Sequence, residues 1–167
     1  NGKTTTGYYL NQLLGENSLF IGTTEANLFI DITKEEHLTT PKLFNIFKLL
    51  RKNEYVDIEN IILEVSSHAL DQNRLENLNF LISGFTNLSQ DHFDYHLNIQ
   101  NYFEAKKKLF NKNFSLQYVY IDSSWGRKLN EEINNKSKSV GFDKDNDLFV
   151  NRIKSFESET LIDFKIA

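Results

Sequence analysis

The 167-residue chain contains no cysteine and no methionine, and it has a single proline. Without cysteine, neither disulfide bonds nor thiolate metal sites can form. No apolar run approaches the roughly 18 residues that a membrane-spanning helix needs, and no signal-peptide pattern opens the chain. A formal net charge of −4 gives no general attraction to nucleic acid or to anionic membranes. These absences predict a cytoplasmic protein that binds neither nucleic acid nor membrane.

An alternation of strand-like and helix-like segments fills most of the chain. Helical spacing of apolar residues covers 4–14, 41–53, 99–111 and 125–134, whereas short apolar runs at 18–23, 28–32, 61–65, 80–88 and 116–121 favour strands. This alternation predicts one α/β domain with a three-layer, mostly parallel sheet. Short apolar segments at 140–142, 148–153 and 160–166 have no helices between them. We therefore expect a small antiparallel β portion near the C-terminus.

The first residues match the end of a phosphate-binding P-loop. Asn1-Gly2-Lys3-Thr4 agrees with the last positions of the pattern GxxxxGK followed by Ser or Thr, and a predicted helix follows. In such loops backbone N–H groups surround phosphate oxygens, the lysine reaches the β and γ phosphates, and the hydroxyl binds Mg²⁺. The same four residues also arise by chance or as an ordinary helix start. The missing initiator methionine predicts a chain that begins inside a longer protein.

Two charged residues interrupt apolar segments. Glu64 lies at the end of an apolar strand, where it either holds Mg²⁺ or merely reaches solvent or caps the next helix. Lys106 shares the apolar stripe of its helix with Tyr102 and Phe103. It either extends to the surface or is buried with a lowered pKa. A neutral lysine amine can react with carbon dioxide to give a carbamate, which is a carboxylate-like metal ligand.

Three polar segments are further candidates for a site. Asp91 to His96 offers several oxygen and nitrogen ligands, and His92 and His96 have the i, i+4 spacing of a zinc helix without the Glu of HExxH. Thr39-Thr40-Pro41 predicts a helix start with Thr40 as N-cap, which also suits an anionic substrate group. Ser66, Gln72 and Arg74 offer a hydroxyl, an amide and a guanidinium. The alternative interpretation of each segment is an ordinary solvated loop or helix cap without a role in a site.

In their order along the chain, these segments resemble the Mur ligase family. The segments that carry the resemblance are Asn1–Thr4, Thr39–Pro41, Glu64–Leu70 with Gln72 and Arg74, Thr86–Leu88, Asp91–His96 and Phe103–Lys106. The similarity covers the chain from Asn1 to about Arg127. Glu64–Leu70 and Asp91–His96 point to the members that add the third amino acid to UDP-N-acetylmuramoyl-L-alanyl-D-glutamate. Asp122-Ser123-Ser124 departs from the family pattern, in which an Asp-Asp pair is common.

The resemblance implies an ATP-dependent ligase and assigns roles by position. Lys3 and Thr4 hold the ATP phosphates and Mg²⁺, and Asn1, Gly2 and Thr5 complete the nucleotide-binding set. Glu64 and His92 organise magnesium together with a carbamylated Lys106. The implied catalytic residues are Lys3, His92 and Lys106, and the implied contacts to the UDP-muramoyl-dipeptide are Thr39, Thr40, Ser66, Gln72 and Arg74.

The implied reaction builds a peptidoglycan precursor in the bacterial cytoplasm. The substrate carboxylate becomes an acyl phosphate, and the amino group of diaminopimelate or lysine displaces the phosphate. Residues 1–167 correspond to a fragment of the central ATP-binding domain of a monomer, without the N-terminal uridine-nucleotide domain and the C-terminal ligase domain. We expect this chain alone not to complete the reaction. The alternatives are a relative of folylpolyglutamate synthase, or a non-catalytic Mur-like subunit of an amidotransferase, which usually carries a cysteine zinc ribbon.

Overall fold

The structure is a computed structural model that describes residues 2–23, 38–52, 57–112, 115–134, 136–156 and 160–166. It divides into two compact units, Asn1–Leu78 and Asn79–Ala167. The mixed α/β class is confirmed, with parallel strands and an antiparallel pair near the C-terminus. The strand expected at 28–32 lies outside the described residues. Among the described residues, no helix is long and apolar enough to cross a membrane.

The first unit is built on two parallel strands. The helices are α1 (Lys3–Leu14), α2 (Leu43–Lys52) and the short α3 (Ser67–Asp71), and the strands are β1 (Ser18–Ile21) and β2 (Asn60–Leu63). The two strands pair in register from Ser18 opposite Asn60 to Ile21 opposite Leu63. Among the residues of this unit that the structure describes, the buried apolar side chains are Leu19, Phe20, Ile21, Ile46, Ala69, Leu70 and Leu75.

Helix α1 was correctly predicted, but its apolar side chains do not form the core. Tyr9 and Leu13 are 63% and 83% exposed, and Gly7 is the buried residue of this helix. A Cβ at Gly7 would overlap the ring of Phe20, so the glycine allows the helix to lie close to β1. The helix ends at Leu14 and is followed by Gly15, and the Ser18 hydroxyl donates to the Asn11 carbonyl at 2.9 Å.

The second unit contains a five-stranded sheet in the order β3-β4-β5-β6-β7. Its strands are β3 (Ile82–Phe85), β4 (Leu116–Tyr120), β5 (Lys138–Gly141), β6 (Leu148–Ser155) and β7 (Thr160–Ile166), and its helices are α4 (Phe93–His96), α5 (Ile99–Lys107) and α6 (Ser124–Glu132). Alternate residues of β3 and β4 are buried, and Phe85 packs edge-on against Phe110 with ring centroids 6.1 Å apart. The core of this unit also includes Phe103, Val119 and Leu129.

The antiparallel portion is smaller than the sequence predicted. Strand β5 pairs in parallel with β4 and with β6, and within the described part of the chain only β6 and β7 are antiparallel. The predicted antiparallel pairing of the segment at Val140 is therefore wrong. Helix α6 supplies the crossover from β4 to β5 that a parallel pair requires. The turn before β6 is held by Asp147, which accepts hydrogen bonds from the Ser139 N–H and hydroxyl, each at 2.9 Å.

Candidate functional site

The N-terminus of α1 presents Gly2, Lys3 and Thr4 at the start of a 12-residue helix. Gly2 has φ 80°, a left-handed conformation that glycine adopts without strain. The first turn contains no acidic residue, so the partial positive charge of the helix end is not offset there. Such an end, with Lys3 beside it, is suited to an anion such as a phosphate. Asn1 lies outside the described residues, and Thr5 is exposed.

The Glu64 carboxylate is buried beside this helix end. The Glu64 N–H donates to the Ile21 carbonyl at 2.8 Å and so extends the pairing of β1 with β2. Its side chain is 3% exposed, and Oε1 lies 3.8 Å from the Lys3 ammonium. Oε2 accepts a hydrogen bond from the Thr4 hydroxyl at 2.8 Å. The fold therefore brings Lys3 and Thr4 next to Glu64. Thr4 and Glu64 are 60 residues apart in the sequence.

Thr23 completes the surroundings of this carboxylate, and sequence reasoning missed it. Its hydroxyl and N–H lie 3.1 and 3.3 Å from Oε2 of Glu64, and the hydroxyl is 3.1 Å from that of Thr4. Thr23 is the second residue after β1, and Glu64 is the first residue after the neighbouring parallel strand β2. Ligands bind at the carboxyl ends of such strands. The position of Thr23 just after a predicted strand was therefore the sequence feature that could have identified it as a site residue. The preceding Gly22 is required because a Cβ there would lie 2.9 Å from Oε2.

The three oxygens from Thr4, Thr23 and Glu64 form a triangle with sides of 2.8, 3.1 and 3.1 Å. Mg²⁺ binds oxygen at about 2.0–2.1 Å in an octahedron, which places adjacent ligand oxygens about 2.9 Å apart. The triangle therefore has the size of one face of that octahedron. Among the described residues, no group of three or more His, Cys, Asp or Glu side chains could hold a metal ion. One carboxylate with hydroxyls suits Mg²⁺, which usually keeps waters and binds substrate phosphates.

A second set of hydrogen bonds in this unit surrounds Thr40. The Thr40 side chain is 0% exposed, and its hydroxyl donates to the Glu64 carbonyl at 2.8 Å and accepts from the Ser66 N–H at 2.9 Å. Arg74 donates from Nη1 to the Thr40 carbonyl at 3.1 Å and from Nε and Nη2 to Oε1 of Gln72. Four of the five predicted substrate contacts therefore lie in one hydrogen-bonded group, and the fifth, Thr39, precedes Thr40 and is half-buried.

The predicted helix start at Thr40-Pro41 is wrong. Helix α2 begins at Leu43, and the Lys42 carbonyl accepts from the Ile46 N–H at 3.1 Å. The Thr40 hydroxyl lies three residues before Leu43 and accepts the Ser66 N–H instead of an N–H from the first turn of this helix. The capping serine of the unit is Ser66 instead, whose hydroxyl accepts from the Ala69 N–H at 3.2 Å at the start of α3.

In the second unit, Tyr102 contacts both predicted metal-organising residues. Lys106 is 9% exposed, so it is buried, and its Nζ lies 5.0 Å from the centroid of the Tyr102 ring. His92 meets the same ring edge-on at 5.8 Å, and His96 stacks on it at 5.1 Å with an interplanar angle of 24°. Burial, followed by the nearby Asp91 carboxylate, raises the pKa of Tyr102 to about 12. Tyr102 is therefore a neutral phenol that fixes the surroundings of His92 and Lys106.

His92 and His96 do not form a zinc helix. His92 precedes α4 in a left-handed conformation with φ 54°, and its N–H donates to Oδ1 of Asp91 at 2.9 Å. His96 is buried at the end of α4, where it packs between Tyr95 and Tyr102. The i, i+4 spacing therefore does not place both imidazoles on one helical face, as a zinc site of this kind requires.

Comparison with known proteins identifies the family. Residues 1–166 match the model of the Mur ligase middle domain. Two relatives named UDP-N-acetylmuramoyl-L-alanyl-D-glutamate--2,6-diaminopimelate ligase are each 41% identical to this chain. The match to the relative from Fusobacterium nucleatum covers 79% of this chain and 28% of the relative. The match to the relative from Lawsonia intracellularis covers 77% of this chain and 28% of the relative. Ligase 1 of the same name from Clostridium acetobutylicum is 33% identical over 98% of this chain and 34% of the relative. The chain thus spans about a third of the length of the curated relatives it matches. The match over nearly the whole chain shows that this protein belongs to the Mur ligase middle domain family.

Proposed function

We propose that this chain is the central ATP-binding domain of a ligase that adds an amino acid to UDP-N-acetylmuramoyl-L-alanyl-D-glutamate in peptidoglycan synthesis. The observation that carries the proposal is the buried Glu64 carboxylate, held against Lys3 and Thr4 at the N-terminus of α1. The family match supports the class of enzyme, and the names of the relatives support the substrate. In this proposal the chain completes a P-loop in a three-layer α/β domain of a monomer, with a uridine-nucleotide domain before it and a ligase domain after it.

The residues of the first unit fit ATP with Mg²⁺. Lys3 and the N–H groups at the start of α1, from Gly2 to Thr5, would bind the β and γ phosphates. Thr4, Thr23 and Glu64 would hold Mg²⁺ through the oxygen triangle, whose spacing matches an octahedral face. Bound Mg²⁺ would neutralise charge on the phosphoryl group during its transfer. The hydroxyl protons that now face Glu64 can rotate away and leave the oxygen lone pairs to the metal ion.

The remaining roles belong to the two other clusters. His92 and a carbamylated Lys106 would organise magnesium, and the shared contact with Tyr102 supports a common task for them. Carbamylation forms a bond between the lysine nitrogen and the carbon of carbon dioxide and releases a proton. Thr39, Thr40, Ser66, Gln72 and Arg74 would hold the muramoyl nucleotide, since Arg74 carries a guanidinium suited to carboxylate or phosphate.

The reaction proceeds in two steps. The glutamyl carboxylate of the muramoyl nucleotide attacks the γ phosphorus of ATP, which releases ADP and leaves an acyl phosphate on the substrate. The amino group of the incoming amino acid attacks the acyl carbon, an amide bond forms, and phosphate leaves. Positioning and charge neutralisation by Lys3, Glu64 and the end of α1 would supply most of the acceleration.

The decisive experiment measures ATP-dependent addition of diaminopimelate or lysine to the muramoyl nucleotide, with the full-length protein that carries this chain. Glu64→Gln keeps the shape of the side chain and removes its charge, so we expect kcat/KM to fall on the order of 100-fold or more. The matched control is Glu59→Gln, because Glu59 is an exposed carboxylate in the same unit. Equal activity of the two variants, or preference for folate over the muramoyl nucleotide, would contradict the proposal.

Lys106 has its own test. Lys106→Ala should abolish turnover, added bicarbonate should not restore it, and short carboxylic acids should restore part of it by replacing the carbamate. The control is Lys108→Ala in the adjacent turn, where the side chain is exposed and activity should persist. Wild-type turnover in Lys106→Ala would show that this lysine is only structural.

A further inference from the structure

Strands β6 and β7 form a ribbon that extends beyond the rest of the sheet in the second unit. Among the described residues, β5 pairs with β6 only at Leu148 and Phe149. From Val150 onwards, the described pairing of β6 is with β7 alone. A two-stranded ribbon is at best marginally stable in water unless one of its faces packs against another element. This part of the sheet therefore needs a covering layer.

The register of the ribbon separates apolar from charged side chains. Residues that pair across two strands have their side chains on the same face, and successive pairs alternate between the two faces. One face, which we call the apolar ribbon face, carries Leu148, Val150, Ile153, Ile162, Phe164 and Ile166, with Ser155 and Thr160 at its end. The opposite face carries all four charged residues of the two strands, which are Arg152, Lys154, Asp163 and Lys165.

A bulge between Val150 and Arg152 maintains this separation. Asn151 is the extra residue, and its side-chain amide donates to Oδ2 of Asp163 at 2.8 Å on the charged face. A bulge of this kind places two residues of one strand opposite one residue of its partner. In a regular strand Ile153, three residues after Val150, would lie on the charged face. The bulge returns Ile153 to the apolar ribbon face, opposite Ile162.

The apolar ribbon face is largely exposed within residues 1–167. Its four outermost apolar side chains are between 47% and 75% exposed, and they are Ile153, Ile162, Phe164 and Ile166. A contiguous exposed apolar patch with a polar rim marks an interaction site. Because the face carries no charged residue, it is suited to a partner that presents apolar side chains and not to a charged one.

The length of the relatives and the position of β7 indicate which partner covers this face. The match to the Clostridium acetobutylicum relative includes 98% of this chain but only 34% of that relative, so most of such a protein lies outside residues 1–167. Strand β7 ends at Ile166. Residues that follow Ala167 in a longer protein would start beside the face, and such a tethered segment has an effective concentration on the order of millimolar. A second copy of the chain would lack this advantage.

We propose that the apolar ribbon face is the docking surface for the polypeptide segment that follows Ala167 in the longer protein. This segment places apolar side chains over Ile153, Ile162 and Phe164, while the charged face of the ribbon stays in water. The inference rests on the proposed function only in that a further domain follows this chain. It gives the ribbon a task outside the nucleotide site, which is to attach the central domain to the part of the protein that comes next.

Thiol labelling of cysteine variants tests this docking in the full-length protein that carries this chain. Ile162→Cys lies on the apolar ribbon face and Leu161→Cys on the charged face, and the native side chains are 55% and 54% exposed within residues 1–167. This chain contains no cysteine, and the unsubstituted protein measures the reaction of cysteines elsewhere. We expect Ile162→Cys to react at least about tenfold more slowly, because the docked segment covers it. Equal labelling rates would overturn the proposal.

The partner strand provides a second matched pair. If Ile162→Cys does not fold, Ile153→Cys on the apolar ribbon face is compared with Lys154→Cys on the charged face. We again expect the first of the two to react at least about tenfold more slowly. Labelling that is slow only at high protein concentration would identify a second copy as the partner and would overturn the proposal.

A photoreactive amino acid identifies the covering segment directly. In Ile162→benzoylphenylalanine we expect cross-links within one molecule to peptides that follow Ala167. Cross-links to a second molecule, to a segment before Asn1 or to residues 1–147 would contradict the proposal. Neither labelling nor cross-linking requires ATP, the muramoyl nucleotide or turnover. A folded but inactive full-length protein would therefore reject the proposed function, whereas slow labelling of Ile162→Cys in that protein would still support the docking.

Discussion

Replacing Gly22 by alanine tests the packing around the Glu64 carboxylate. A Cβ at this position would lie 2.5 Å from Cζ of Phe20 and 2.9 Å from Oε2 of Glu64. Gly22 does not have a positive φ, so the expected effect comes from contacts and not from backbone strain. The alanine methyl group must therefore displace the Phe20 ring, the carboxylate, or both.

The expected magnitude follows from how far these groups can move. Non-bonded carbon atoms normally approach to about 3.5–4.0 Å, so the Phe20 ring would have to retreat by about 1 Å. Phe20 is 1% exposed, and Gly7 already contacts its ring from the side of α1. Overpacking of this kind costs about 1–3 kcal/mol of unfolding free energy. Each kcal/mol corresponds to a fall in Tm of about 2–4 °C for a domain of this size.

Thermal and denaturant unfolding should measure this loss, with Gly84→Ala as the matched control. A Cβ at Gly84 would have no atom within 4 Å, and Gly84 also lacks a positive φ. The control should be within about 0.5 kcal/mol of wild type. As a second readout, Gly22→Ala should weaken Mg²⁺-dependent ATP binding because it pushes on Oε2. Unfolding free energies that are the same for the two variants would refute the reasoning.

Three further substitutions have expected effects on stability. Lys138 lowers the pKa of Asp147 from 3.8 to about 2, so the stabilisation by Asp147 is present above 3.8 and lost as pH falls towards 2. Denaturant unfolding of Asp147→Asn should therefore depend less on pH in this acid range, and unchanged acid sensitivity would contradict the assignment. Ser123→Ala removes a helix cap to the Gly126 N–H and should cost about 1 kcal/mol in unfolding experiments, whereas no loss would show the cap to be irrelevant. Because the pKa of Tyr102 is raised to about 12, stability should fall as pH rises from 10 to 12, and Tyr102→Phe should be less sensitive to alkali than wild type.

Local patterns in the sequence predicted the positions of the helices and strands better than they predicted which elements pair or pack with one another. Helix α5 was expected at 99–111 and extends from Ile99 to Lys107. The pairing of β5 was predicted wrongly because the direction of a strand depends on the crossover before it, and not on its own residues. Exposed apolar side chains such as Leu13 show a second limit. A periodic stripe identifies a helix, but it does not establish that this stripe faces the core.

The candidate site shows the same division between local and distant information. Glu64 and Lys106 were recognised because a charge in an apolar segment is unusual by itself. Thr23 was missed, and Thr40 was wrongly predicted as a helix cap, because their partners are distant along the chain: Thr23 binds a carboxylate 41 residues away, and Thr40 binds a carbonyl 24 residues away. A threonine in a turn has many ordinary explanations, so only the fold reveals which of them applies.

The way in which Glu64 is buried favours cation binding over simple stabilisation. Its closest donors are the hydroxyls of Thr4 and Thr23, which are neutral and leave the negative charge of the carboxylate in place. Among the described residues, the cation recorded beside it is Lys3, whose ammonium is 3.8 Å away and whose side chain is 29% exposed, so it offsets the charge only weakly. A shorter ion pair would neutralise Glu64 and hold Lys3 away from an incoming phosphate. The observed arrangement places a negative and a positive charge within a few ångströms of each other, which supports the proposed binding of a metal–nucleotide complex at this site.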